Sequence, residues 1–325
     1  MLASITQGLR AAAKHPKLVA VIWAWYALLS LIPAMPAYAW LSGSMGSSPA
    51  AASALQRFDF GLLGELSNYN QTNPLSLLVS AMMAGGIVAF VSSAFVMGGI
   101  LEVLGSDGEA RSFMHRFYRG GGHFFWRFFR LSLLACVGVL LVGGVVAATT
   151  GAITAPMSNT EWEPGGYLAG FLTFLSVALV AAFFLLGLDY ARIRTARDGS
   201  RGMLRTYASS LGFVLRHVFS AYVMGLVFVA LLAGVVALYV AYETNSPAAA
   251  TSSAIAVIVV FQQVAVLARV FMRVGLVGAE RHFFMNASPV PVVVSAPAPV
   301  AAPVIAVASE AVDPSALTPR DETSS

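Results

Sequence analysis

Charged residues are scarce in this chain of 325 residues: only 10% are Asp, Glu, Lys or Arg, whereas 58% are hydrophobic. Soluble domains carry about 25% charged residues because their surface faces water. A chain with so little charge cannot cover such a surface. The composition therefore excludes an ordinary soluble protein and indicates one surrounded by lipid, which requires runs of roughly 20 apolar residues.

Cysteine and catalytic motifs are scarce as well. Cys136 is the single cysteine, so an internal disulfide is impossible. The five histidines have no spacing typical of metal ligands. Gly120-Gly121-Gly122 lacks the Lys and Ser/Thr of a phosphate loop. The sequence thus predicts no catalytic residue, no metal and no cofactor, and an enzyme acting on lipid is the weakest of the alternatives.

Long apolar runs, by contrast, are frequent. Six occur, at 18–41, 74–104, 131–155, 167–188, 218–242 and 254–274. None has an acid or a base in its central stretch, and each can satisfy its backbone hydrogen bonds as a helix. We predict an all-α, polytopic transmembrane bundle of six helices over residues 1–285, with interfacial helices in the cytoplasmic loops.

The first run also allows a second interpretation, as a cleaved signal peptide. Lys14 and Lys17 precede it, and Ala37-Tyr38-Ala39 resembles a cleavage site. The run is longer than a typical signal-peptide core and follows a 17-residue leader. We favour an uncleaved helix, with cleavage as the alternative.

Basic residues indicate the orientation. Of the 19 Lys and Arg, 17 lie on one side: before the first run, between runs two and three, between runs four and five, or at and after the inner end of run six. Positive residues concentrate on the cytoplasmic side. Both termini are therefore predicted to be cytoplasmic, in a bacterial plasma (inner) membrane. The tail 286–325 is rich in Pro and Ala and is predicted to be disordered, and 50–66 is predicted to form a short helix on the outer surface.

A pattern recurs in the two long basic loops. Met114-x-Arg116-x-Tyr118, five residues and Phe124-x-x-Arg127 are repeated 89 residues later, from Met203 to Arg216. We interpret this as duplication of a helix–interfacial segment–helix unit. Chance similarity between two loops rich in Arg and aromatic residues is the alternative.

Residues 111–130 hold five arginines and eight aromatic residues. Such residues favour the headgroup layer, where guanidinium groups pair with phosphates. They indicate the lipid bilayer, including anionic lipid, as partner rather than nucleic acid, and a protein partner at the same face is left open. The simpler alternative is a belt that any membrane protein needs. The candidate headgroup contacts are Arg116, Arg119, Trp126, Arg127, Arg205 and Arg216.

A few polar residues lie near or within the predicted spans. Asp189 can contact Arg192 one turn later, and Arg269 is predicted to pair with Glu102 or Asp189, because a guanidinium at that depth needs a partner. Gln262 and Gln263 are predicted to form hydrogen bonds between helices.

With these residues in view, the chain resembles bacterial six-helix membrane proteins of unknown function and the membrane domain of some glycerophosphodiester phosphodiesterases. The resemblance rests on Arg10…His15-Pro16-Lys17 and the paired basic loops, and it covers residues 1–282. It implies a six-helix fold and, without a soluble phosphodiesterase domain, no catalysis. We expect a non-catalytic membrane-organising or accessory protein; a transporter or channel for a small solute or lipid is the alternative.

Overall fold

Eight α-helices make up the described part of the chain, in a computed structural model that describes residues 1–45, 74–106, 112–158, 163–200, 202–245 and 252–288. They are α1 (Leu2–Lys14), α2 (Pro16–Met45), α3 (Pro74–Gly105), α4 (Phe113–Ser158), α5 (Glu163–Asp198), α6 (Met203–Arg216), α7 (Val218–Asn245) and α8 (Ser252–Ala287). Those ranges contain no β-strand, which confirms the all-α class for them. The predicted helix at 50–66 and the tail from Pro289 onward lie outside the described residues.

Six of these helices are long and apolar enough to cross a membrane: α2, α3, α4, α5, α7 and α8. Each predicted run lies inside one of them, in the predicted order. The length and composition of these helices fit a multi-pass membrane protein.

Several helices continue well beyond their predicted ends. With 46 residues, α4 is about 69 Å long at a rise of about 1.5 Å per residue, whereas the hydrocarbon core is about 30 Å thick. Most of the segment 111–130 is therefore not a loop but the first turns of α4. Likewise, α8 continues for 13 residues past the predicted end at 274. These extensions are amphipathic, so their hydropathy falls although the helix continues.

The buried residues concentrate at one end of the bundle, which we call the basic end. It comprises α1, α6, the C-terminal parts of α3, α5 and α8, and the N-terminal parts of α2, α4 and α7. The opposite halves of the long helices expose large apolar residues such as Met82, Leu140, Phe174 and Leu238. In lipid this exposure costs little, because acyl chains are as apolar as leucine. Packing between helices is thus strongest at the basic end.

The first helix was not predicted. Residues 1–17 were interpreted as a polar leader, yet α1 packs along α8 with Ser4, Ile5, Gly8 and Ala12 buried. A Cβ at Gly8 would overlap the carbonyl oxygen of Gly275. Glycine therefore allows the two backbones to approach closely, as small residues do in membrane helix pairs.

The two copies of the sequence repeat begin alike and end differently. Gly98 and Gly187 are also 89 residues apart. A Cβ at Gly98 would lie 2.7 Å from the Gly120 carbonyl oxygen, and one at Gly187 would overlap the Leu211 side chain. Each copy thus starts with a close helix crossing at an equivalent glycine. The first copy then continues through α4, whereas α6 ends at Arg216 and the chain turns at His217, with φ −122° and ψ 29°.

Candidate functional site: the charged core and the surfaces around it

A buried carboxylate links the helices of the basic end. Asp189 on α5 accepts two hydrogen bonds from Arg273 on α8, from Nη1 to Oδ2 at 2.9 Å and from Nη2 to Oδ1 at 3.0 Å. Arg192, one turn later on α5, lies 3.5 Å from Asp189 Oδ1 and donates from Nη2 to Ser132 Oγ on α4 at 2.7 Å. A two-pronged arginine–carboxylate pair is strong and directional. These side chains therefore join α4, α5 and α8.

Glu280 adds a second acid to this cluster. It is fully buried on α8, within electrostatic range of Asp189, Arg192 and Arg273. Both of its carboxylate oxygens lack a hydrogen-bond partner among the described residues, as does the buried hydroxyl of Tyr190. Burying ions is costly unless their charges are compensated. Two arginines and two acidic side chains thus lie together inside the basic end.

The structure corrects the ion pair that the sequence predicted for Arg269. Arg273, one turn further along α8, contacts Asp189 instead. Arg269 is exposed and makes no hydrogen bond or ion pair with any described residue. The physical reason is depth: Asp189 lies level with Arg273 inside the packed end, and Arg269 lies where the helices separate.

Glu102 is placed elsewhere. It lines a small cavity of about 260 Å³ at the tip of the basic end, together with Arg197 and Arg281. Its Cβ packs against Gly120 of α4, and it contacts neither Arg269 nor Arg273 by an ion pair. Of the two acids predicted for Arg269, one is thus occupied by Arg273 and the other lies at a different place.

The five arginines among the six predicted headgroup contacts divide into two groups. Arg116 and Arg127 donate to backbone oxygens of the protein, Arg116 to Ser106 at 2.8 Å and Arg127 to Gly199 at 3.4 Å. The other arginines are exposed and make no hydrogen bond or ion pair with a described residue: Arg119, Arg205 and Arg216. These three are free to contact a ligand outside the protein, and we call them the surface arginines.

Trp126 lies on the same side of the molecule. It is 56% exposed, and the Arg130 guanidinium carbon lies 5.0 Å from its ring centre. The indole and the cation form a cation–π contact. Such a pair presents an apolar ring and a positive charge together, as residues of the headgroup layer do.

A groove opens below the charged cluster, where the long helices separate. It has a volume of about 840 Å³ and lies between α2, α3, α7 and α8. Leu29, Pro33, Met82, Ala89, Phe228 and Leu232 give it apolar walls. Arg269 and Arg273 line the end nearest the cluster. The groove thus combines apolar walls with a cationic end.

The two mid-helix glutamines have different surroundings. Gln263 Oε1 accepts a hydrogen bond from Trp23 Nε1 at 3.2 Å, which connects α8 with α2. Gln262 is exposed and makes no such bond among the described residues. One amide therefore serves helix contact, as the sequence suggested for both.

Sequence reasoning missed Glu280 and the groove. Glu280 could have been found, because it continues the buried spacing Val270, Val274, Val277 of α8. The groove depends on how four helices diverge, for which no local pattern gives a signal. Within the described ranges no group of three or more His, Cys, Asp or Glu is placed to hold a metal ion.

Comparison with known proteins adds no relative. The chain matches no family model, no curated protein and no solved structure.

Proposed function

We propose that this chain is a non-catalytic, multi-pass protein of a bacterial inner membrane that organises lipid at its cytoplasmic face. In this proposal the basic end is cytoplasmic and binds the headgroups of anionic lipids. The observation that carries it is the set of surface arginines, Arg119, Arg205 and Arg216, which are exposed and make no ion pair with the described residues.

Electrostatics supports this function. A basic residue near an anionic membrane surface contributes about 1 kcal/mol of attraction. The basic flanks of the spans hold 17 of the 19 Lys and Arg of the chain. The exposed Trp126, stacked with Arg130, adds an aromatic anchor beside these charges. An anionic headgroup satisfies both features at once.

The test is lipid selectivity of the purified full-length protein. Native mass spectrometry counts the lipids retained from an equimolar mixture of phosphatidylglycerol and phosphatidylcholine. We expect wild-type protein to prefer phosphatidylglycerol. The triple variant Arg119→Gln, Arg205→Gln, Arg216→Gln should lose roughly fivefold of this preference per arginine, the equivalent of about 1 kcal/mol each.

The matched control replaces the same three arginines by lysine. Because lysine keeps the charge, this variant should retain most of the preference, although it lacks the forked geometry of arginine. A triple glutamine variant with unchanged selectivity would show that these arginines do not bind headgroups. The simpler alternative would then be preferred: a belt of basic residues that only fixes the orientation of the helices in the membrane.

A further inference from the structure

We propose that the groove between α2, α3, α7 and α8 is a binding site for one anionic phospholipid, whose phosphate contacts Arg269 and whose acyl chain lies along α2 and α3. This proposal rests on the membrane location of the chain but not on the surface arginines, which lie on other elements. It concerns a single lipid held between helices rather than a surface that many headgroups contact.

The lining of the groove includes a cation without a partner among the described side chains. Arg269 is exposed on α8 and makes no ion pair or hydrogen bond with a described residue. A charged side chain within a transmembrane segment is costly, so it normally pairs or faces water. Asp189, the buried acid close by, is already held by Arg273 in a two-pronged pair. The partner that Arg269 needs must then come from outside these side chains.

The groove as a whole has a positively charged lining. Its lining includes Arg269 and Arg273 but no acidic residue. The Arg273 side chain lines the groove and is 41% exposed despite its pair with Asp189. Tyr26 adds a hydroxyl group to the same lining, whereas the Ser30 hydroxyl donates to the Ala27 carbonyl oxygen. A phosphate group complements two guanidinium groups and a nearby hydroxyl donor.

The size and shape of the groove also suit a lipid. The groove has a volume of about 840 Å³, within the roughly 300–1,000 Å³ typical of ligand sites. Away from the arginines its walls are apolar, and one wall carries Gly85, Gly86 and Ala89 of α3. These small residues leave width for a chain of methylene groups. An anion without a hydrocarbon chain would leave the apolar walls unused, and a neutral lipid would leave Arg269 unpaired.

Gly86 provides a direct way to fill the groove. A Cβ added there meets nothing within 4 Å, so a leucine side chain can enter the groove without displacing neighbouring residues. Gly144 on α4 has the same open surroundings and does not line the groove. Gly86→Leu and Gly144→Leu are thus the same chemical change, inside and outside the proposed site.

The experiment titrates full-length protein in detergent with phosphatidylglycerol, phosphatidylcholine or inorganic phosphate and follows binding by native mass spectrometry. Wild-type protein should bind one phosphatidylglycerol at least tenfold more tightly than any further lipid. Arg269→Gln and Gly86→Leu should each weaken that first binding at least tenfold, and Gly144→Leu should not. The triple glutamine variant of the surface arginines should keep the first lipid and lose only the weaker ones.

Several results would overturn the site. If the first phosphatidylcholine bound as tightly as the first phosphatidylglycerol, the charge of the headgroup would not determine binding. If inorganic phosphate displaced the bound lipid, the site would be one for a free anion and not for a lipid. Tight binding that survives Gly86→Leu would place the lipid elsewhere, and a stable dimer that Gly86→Leu disrupts would assign the groove to a second copy. Thermal unfolding of each variant shows whether it is folded. If the triple glutamine variant lost its selectivity for phosphatidylglycerol while Arg269→Gln and Gly86→Leu kept theirs, the proposed function would be supported and this site refuted.

Discussion

Asp189 lies at the centre of the ion pairs and hydrogen bonds that join α4, α5 and α8. Its carboxylate is 8% exposed and accepts from Arg273 of α8, while Arg192 links it to Ser132 of α4. Removing one partner of such a pair leaves the others buried and uncompensated, which costs about 3–5 kcal/mol. Arg273 is 41% exposed, so the lower end of that range applies.

We expect Asp189→Asn to lower the free energy of unfolding by about 3 kcal/mol. The change keeps the shape of the side chain and removes its charge, which leaves two arginines without their acid. The measurement is reversible unfolding in mixed micelles, monitored by circular dichroism.

Asp198→Asn is the matched control for this prediction. Asp198 ends the same helix and pairs with Arg197 and Arg194, but its side chain is 32% exposed. Exposed pairs contribute about 0–1 kcal/mol. Similar losses for the two variants would mean that burial does not set the strength of the Asp189 pair.

At this scale the sequence indicated which residues were unusual but not which of them meet. Asp189 and Arg269 were singled out because charges are rare in apolar segments. Arg269 and Arg273 differ by one helical turn, about 5.4 Å along the axis. Which of them reaches Asp189 depends on the shift of α8 relative to α5. Packing of the whole end fixes that shift, so the choice between them could not be made locally.

Among the elements, the two repeat copies offer a direct comparison. Tyr118 of α4 and Tyr207 of α6 occupy equivalent positions, yet Tyr118 is 61% exposed and Tyr207 is buried. The Tyr207 hydroxyl donates to the Phe184 carbonyl oxygen of α5 at 3.1 Å. Burial raises the pKa of Tyr207 to about 12. The second copy thus uses its tyrosine to hold α6 against α5.

Tyr207→Phe should therefore have an effect that depends on pH. At pH 8 it should cost about 1 kcal/mol through the lost hydrogen bond. Between pH 10 and 12 the unfolded tyrosine loses its proton and the folded one keeps it, so wild-type stability falls as pH rises. At pH 11 this loss is about 1.4 kcal/mol, one pKa unit. The deficit of Tyr207→Phe should then disappear.

Unfolding measured at pH 8 and pH 11 for wild type, Tyr207→Phe and Tyr118→Phe provides the comparison. Tyr118→Phe should match wild type in stability at pH 8 and show no such recovery at pH 11. A Tyr207→Phe deficit that stays constant between the two pH values would contradict the pKa shift of Tyr207.

The elements were partly predictable because two different signals mark them. Long apolar runs identified the six candidate spans, since hydrocarbon requires continuous apolar length. Their extensions in α4 and α8 carry charged residues at helical spacing, so a search for apolar length ends too early. The amphipathic α1 was missed for the same reason, since its buried face consists of small residues such as Gly8 and Ala12.

For the molecule as a whole, the orientation of the basic end decides what the proposed headgroup site can meet. The positive residues predict that this end is cytoplasmic. Cysteine labelling in intact cells tests it, on a Cys136→Ala background because native Cys136 is exposed. Ser112→Cys and Ser200→Cys should react with an impermeant reagent only after permeabilisation.

Ser48→Cys and Thr160→Cys, which the sequence places on the opposite side, should react in sealed cells. Labelling of Ser112→Cys in sealed cells would reverse the orientation and move the proposed headgroup site to the outer leaflet. Equal labelling of all four positions would indicate leaky cells, so a cytosolic cysteine protein is measured in parallel.

The contact between α1 and α8 has a consequence for biosynthesis. Of the described helices, the ribosome completes α1 first and α8 last, and the two meet at Gly8 and Gly275. The ion pair between Asp189 and Arg273 likewise cannot form until Arg273, 84 residues later in the chain, has been translated. Each span can enter the membrane as it is made, but the basic end can close only after nearly the whole described chain has been translated. A nascent chain stalled before α8 would therefore be inserted but open, with α1 exposed to proteases of the compartment where it waits.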